Sequence, residues 1–311
     1  MTSERYLDQV ALLVRVLPEL AGETDFALKG GTAINLFIRD LPRLSVDIDL
    51  TFLPVADRDT SLAAVRDGLD RIAERLITRL ELKVERKLLE EGKRLIVSQG
   101  QATIKIEVSP VLRGTVFEPE LRAVSQAVEK RFGFAEVQLV SFADLYAGKI
   151  AAALDRQHPR DLFDIHYLLA QEGIGDDLFR AFLVYLVSHP RPAHELLQPH
   201  LLDIAAQYDE QFVGMTVEAI ELDVLLDARR RLIEEIGTRV RTGDVRDFLL
   251  RFHALEPDFA AIGLPAELAE LPAVRWKLIN LERLRRENKP KSDQQMRDLA
   301  DCLAPLEPPR A

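Results

Sequence analysis

The chain of 311 residues has a single cysteine, Cys302. One thiol excludes an internal disulfide and a thiolate metal cluster. No apolar run approaches the roughly 18 residues that cross a bilayer. The N-terminus, MTSERYLDQV, carries charges where a signal peptide carries its apolar segment, so a cytoplasmic protein is expected. Six histidines (His158, His166, His189, His194, His200, His253) show neither H-x-x-x-H nor H-E-x-x-H spacing, which argues against a zinc site. No Walker A lysine loop and no G-x-S-x-G elbow occurs. Trp276 is the one tryptophan.

Apolar residues make up 47% and charged residues 30%, a globular balance that excludes global disorder. The net charge of −10 argues against a general nucleic-acid coat, because phosphate binding depends on clustered Lys and Arg. The charge is uneven. Pro192 to Ala228 holds eight acidic residues and no Lys or Arg, whereas Arg275 to Arg297 holds eight basic residues against three acidic ones. That basic segment reads either as a local RNA patch or as a solvated helix. Trp276, among Leu278, Ile279 and Leu281 on an amphipathic stretch, reads as a core anchor rather than a base-stacking platform.

Apolar residues at helical spacing (Val10, Leu13, Val14, Leu17) predict a helix over 5–20. A short strand at 25–28 leads into KGGTAINLF, a Gly turn opening a helix with Thr32 as N-cap and Ala33, Leu36 and Phe37 buried. In LSVDIDLTFL the residues Val46, Ile48, Leu50 and Phe52 alternate with Ser45, Asp47, Asp49 and Thr51, the period of a half-buried strand. A helix over 57–78 and strands at 80–89, 93–99, 102–109 and 137–141 follow, with 110–135 read as loop and short helix. Helices at 142–155 and 160–171 and a helical remainder complete the pattern. The fold class is α+β, without the regular βαβ alternation of a doubly wound sheet. Two domains are expected, 1–171 and 172–311.

Asp47 and Asp49 lie two apart on one strand and so project from one face. Neighbouring carboxylates repel unless a cation lies between them, and hard divalent ions prefer oxygen ligands. Glu107, on the polar face of the strand TIKIEVS, is the natural third acid if the two strands are neighbours. Such a site would hold two metals, one lowering the pKa of an attacking hydroxyl and one holding triphosphate. The Gly30-Gly31 turn suits phosphate, since backbone N–H groups there face anions. Arg39 and Arg43 flank the loop before the D-x-D strand and read as phosphate grips or as solvated side chains. A phosphate on Ser45, which shares the face of the two aspartates, would put an anion where a triphosphate binds.

A second cluster lies in DLYAGKIAAALDRQHPRDLFDIHYLL, residues 144–169. Lys149, on an apolar helix, either snorkels to solvent or reaches a phosphate. Arg160, Asp161 and Asp164 open the next helix, where capping and a local ion pair would account for Asp161. Asp164 is less easily explained that way.

KGGTAINLF, RLSVDIDLTF, IKIEVS and GKIAAALDRQHPRDLFDIHYLL resemble successive motifs of the AbiEii/AbiGii-type nucleotidyltransferases, the toxins of type IV toxin–antitoxin and phage-defence systems that include the MenT group. The resemblance covers roughly residues 25–170. It implies a polymerase-β-like nucleotidyltransferase core with a mixed sheet and an all-helical C-terminal domain. It implies Asp47, Asp49 and Glu107 as Mg²⁺ (or Mn²⁺) ligands and catalytic acids, with Gly30, Gly31, Thr32 and Ser45 around the nucleotide. Lys149 would contact phosphate, and Asp164 matches the essential aspartate after it. Gly31 departs from the Ser of many nucleotidyltransferases. The resemblance further implies an NTP substrate, an RNA acceptor such as the tRNA 3′ end, and a cognate antitoxin. A small-molecule nucleotidyltransferase and a non-catalytic NTP- or antitoxin-binding protein are the rival readings.

Overall fold

Period-two alternation becomes a mixed sheet in the computed structural model, which describes residues 2–89 and 92–305. Its strands are β1 (Phe26–Lys29), β2 (Asp47–Phe52), β3 (Lys83–Leu89), β4 (Gly92–Gln99), β5 (Ala102–Arg113), β6 (Glu120–Ala123) and β7 (Glu136–Leu139). They lie in the order β3-β4-β5-β2-β1-β7-β6. β2 runs parallel to β5 and antiparallel to β1, so the D-x-D strand is central and has both neighbours.

Ile48 and Leu50 of β2 are buried together with Ile104 and Ile106 of β5 and Leu95 and Val97 of β4. Against the sheet pack α1 (Thr2–Leu20) and, later in the chain, α3 (Arg58–Leu80). The α1 stripe of Val10, Leu13, Val14 and Leu17 is fully buried, as its spacing predicts. The intervening α2 (Gly30–Ala33) passes directly into a π-helical turn, Ile34–Ile38, with Ala33, Leu36 and Phe37 buried. Thr32 is no N-cap: the helix opens at Gly30, and no side chain caps it. The stretch 110–135 is more ordered than its composition suggests. β5 extends to Arg113, β6 follows, and α4 (Gln126–Phe132) is capped by Ser125.

The remaining elements are helices. They are α5 (Phe142–Asp155), α6 (Pro159–Gln171), α7 (Asp176–Ser188), α8 (Ala193–Leu197), α9 (Ala205–Gln211), α10 (Leu222–Arg239), α11 (Gly243–His253), α12 (Pro272–Glu287) and α13 (Lys289–Cys302). α10 packs on α6, and α12 packs on α7 and α13. Phe248, Phe252 and Phe259 form a buried aromatic group, with the Phe248 and Phe259 rings 5.3 Å apart.

By packing the chain forms two compact units, Met1–Leu145 with Gly214–Ala219, and Tyr146–Val213 with Ile220–Ala311. The division falls inside α5, earlier than residue 171. In the first unit the returning segment pairs with the loop before β2. Leu44 N donates to Met215 O at 2.8 Å and Val217 N to Pro42 O at 2.9 Å. Among the described residues no helix is long and apolar enough to cross a membrane.

Candidate active site

Strand register writes the first unit's polar site as a row. Lys29 on β1 pairs with Asp49 on β2, Asp49 with Glu107 on β5, and Glu107 with Arg94 on β4. Two carboxylates thus stand between two cations. Asp47 and Lys105 form the adjoining row. The strands of Asp49 and Glu107 are neighbours, as the three-acid reading requires. The side chains, however, settle with cations: Arg94 Nε lies 2.5 Å from Glu107 Oε1, and Lys105 Nζ lies 3.4 Å from Asp47 Oδ2. Among the described residues no three His, Cys, Asp or Glu side chains gather as metal ligands. Burial lowers the Lys29 pKa, and the negative charge of Asp49 works against that shift.

The glycine turn closes over this row. Gly30 has φ +77°, and a Cβ there would lie 2.7 Å from Asp49 Oδ2. A Cβ on Gly31 would meet Arg43 Nη2 at 2.8 Å and Ser45 Oγ at 2.9 Å. A side chain at Gly31 would displace the Arg43 guanidinium and the Ser45 hydroxyl, which occupy its space. Thr32 Oγ1 donates to Asp47 O at 2.5 Å and lies 3.1 Å from Ser45 Oγ, tying the turn to the start of β2. Arg39 and Arg43 are not solvated; both are buried. Arg43 is fixed by its own backbone N–H donating to Asn35 Oδ1 at 3.3 Å and by Nη1 donating to Leu44 O at 3.0 Å.

For a divalent cation, Asp47 and Asp49 offer hard oxygen donors on one face. Asp47 is substantially exposed, so a cation and its remaining ligands can reach it. These two residues fit the group; Glu107 fits it only after leaving Arg94.

In the second unit Lys149 neither snorkels nor stands alone. Its side chain is 8% exposed, and Nζ lies 2.8 Å from Asp161 Oδ1 and 3.0 Å from Asp164 Oδ2. Arg156 Nε donates to Asp161 Oδ2 at 2.6 Å. Burial alone would raise the Asp161 pKa, but Lys149 and Arg156 more than offset it and hold the carboxyl far below its usual range. Capping does not account for Asp161. The cap of α6 is His158, whose Nδ1 accepts from Arg160 N at 3.1 Å.

The family profile described as nucleotidyl transferase AbiEii toxin, type IV TA system, matches residues 11–280. The chain belongs to the AbiEii family. It is a nucleotidyltransferase toxin of a type IV toxin–antitoxin system, which implies a nucleotide substrate and a cognate antitoxin. Among solved structures it is similar to MenT4, a nucleotidyltransferase toxin from Mycobacterium tuberculosis H37Rv. The two share 16% identity over 94% of this chain and 93% of that one, with a TM-score of 0.56. At that identity the likeness concerns the fold. No curated protein matches the chain by sequence.

Three polar residues beside the acids of this AbiEii chain escape a sequence reading. Lys29 precedes the glycine turn, but only the strand order puts it opposite Asp49. Arg94 and Lys105 occupy the outward positions of their strands, where lysine and arginine are ordinary solvated residues. Trp276 also departs from expectation: it is exposed, while Lys277 beside it is buried.

Proposed function

We propose that this AbiEii toxin transfers a nucleotide from an NTP to an RNA acceptor, the tRNA 3′ end being the leading candidate. The core is read as polymerase-β-like with a helical C-terminal domain, residues 1–171 carrying the chemistry and 172–311 the helical part. The observation that carries the reading is the closure of the Gly30-Gly31 turn on Asp49, with Asp47 two residues away on the same face. Backbone N–H groups at the start of a helix receive phosphate oxygens, and the buried Arg43 beside Gly31 adds a fixed cation. Thr32 and Ser45 supply hydroxyls at the same turn.

Asp47 and Asp49 would hold Mg²⁺ or Mn²⁺, with Glu107 as a further ligand once released from Arg94. When bound, the cation neutralises triphosphate charge and lowers the pKa of an attacking hydroxyl. The acceptor oxygen bonds to the α-phosphorus, the bond from that phosphorus to the bridging oxygen breaks, and pyrophosphate leaves with the electron pair. The hydroxyl proton is lost to solvent. Lys149 is assigned a phosphate contact and Asp164 the part of the essential aspartate. Their motif supports this reading.

The test is incubation of the purified chain with each α-³²P NTP, Mg²⁺ and total tRNA. Label is expected on RNA with one NTP, falling to background in Asp49→Ala. If no NTP labels any RNA while the chain is folded, the RNA acceptor is wrong.

A further inference from the structure

α12 buries and exposes the opposite residues from those its composition suggests. Lys277 is buried, its Nζ donating to His189 O at 2.7 Å and Arg191 O at 2.8 Å beyond the end of α7. Trp276 is 56% exposed and Ile279 46%. Arg283 follows Ile279 by one helical turn, and Arg286 stands three residues beyond it, so all four share one side of the helix. The stripe spans eleven residues, about 15 Å of axis.

A tryptophan held in water beside guanidinium groups packs no core of its own. It suits a polyanion that also carries flat π faces. With Lys277 buried, residues 275–287 still present four arginines (Arg275, Arg283, Arg285 and Arg286) against Glu282 and Glu287, in a protein of net charge −10. Arg286 pairs with Glu287 at 3.0 Å, but both side chains are largely exposed, and such pairs yield readily to phosphate.

We propose that this face of α12 binds single-stranded RNA. One base stacks on the Trp276 indole beside Ile279, and Arg283 and Arg286 take the flanking phosphates. The proposal rests on the reading of RNA as the acceptor.

The lone tryptophan makes the test direct. The intact chain is titrated with a single-stranded 12-mer oligoadenylate, without NTP. Trp emission is followed together with the anisotropy of the labelled oligonucleotide. Emission is expected to be quenched along the same isotherm. Trp276→Ala should bind about tenfold more weakly, and Trp276→Phe should keep most of the affinity. Arg283→Glu with Arg286→Glu should flatten the salt dependence. Binding with unchanged emission, or wild-type affinity in Trp276→Ala, overturns the proposal, as does a response of Trp276 to antitoxin but not to RNA. RNA labelling in the transfer assay with Trp276 silent removes this surface alone. Oligonucleotide binding through Trp276 without any RNA labelling removes the transfer reading alone.

Discussion

Lys29, Asp49, Glu107 and Arg94 stand on four adjacent strands with charges in the order plus, minus, minus, plus. Gly30 sits against Asp49, and the geometry leaves it no room for a side chain. Gly30→Ala must both adopt φ +77° and move a carboxylate that its Cβ would approach to 2.7 Å. A shift of about 1 Å in a catalytic group costs about 10²-fold in rate. Transfer activity in Gly30→Ala should fall by at least that factor while circular dichroism stays native. Unchanged activity would show that Asp49 tolerates displacement. The two aspartates and the glycine pair were legible because each is local: period two fixes one face, and Gly-Gly marks a turn. Lys29 and Arg94 were not, because strand order is a long-range fact that no residue spacing encodes.

Among elements, the docking of α3 beside α1 turns on Glu23. Arg75 Nη1 donates to Glu23 Oε1 at 2.8 Å and Arg71 Nη2 to Oε2 at 2.7 Å, one turn apart on α3. Burial raises the Glu23 pKa, and the two arginines more than offset it, leaving the carboxyl below its ordinary 4.5. A depressed carboxyl pKa stabilises the fold fully above that ordinary value, and the contribution is lost as pH falls below it. Glu23→Gln should therefore lower stability by about 1–2 kcal/mol at pH 7, discounted for the exposure of Arg71. Urea titrations at pH 7 and pH 3.5 should show the gap between the two proteins narrowing. A constant gap would mean that the charge contributes nothing. Long periodic elements such as α1, α3 and β2 could be read directly. β6 could not, because four residues, ELRA, are too short a run to establish a period, and their one large apolar side chain, Leu121, is exposed. α12 misled for another reason: a lysine satisfied by carbonyls occupies the buried side that an apolar residue was expected to fill.

At the scale of the whole molecule, the functional boundary expected at residue 171 does not coincide with the division by packing. α6 buries Leu162, Phe163, Ile165 and Leu168, and α10, more than fifty residues on, packs against it. Exposing such side chains costs about 1.5–3 kcal/mol each. A chain ended at residue 171 should lack a cooperative thermal transition, which the full chain should show; a sharp transition in the shorter chain would establish an independent catalytic domain. The return of Gly214–Ala219 to the first unit also bears on inheritance. A single recombination break anywhere between Leu145 and Gly214 would separate the loop before the aspartate strand from its pairing segment. Swapping one unit for that of a relative therefore takes more than one crossover, so the two units should descend together, and gene histories drawn from either should agree.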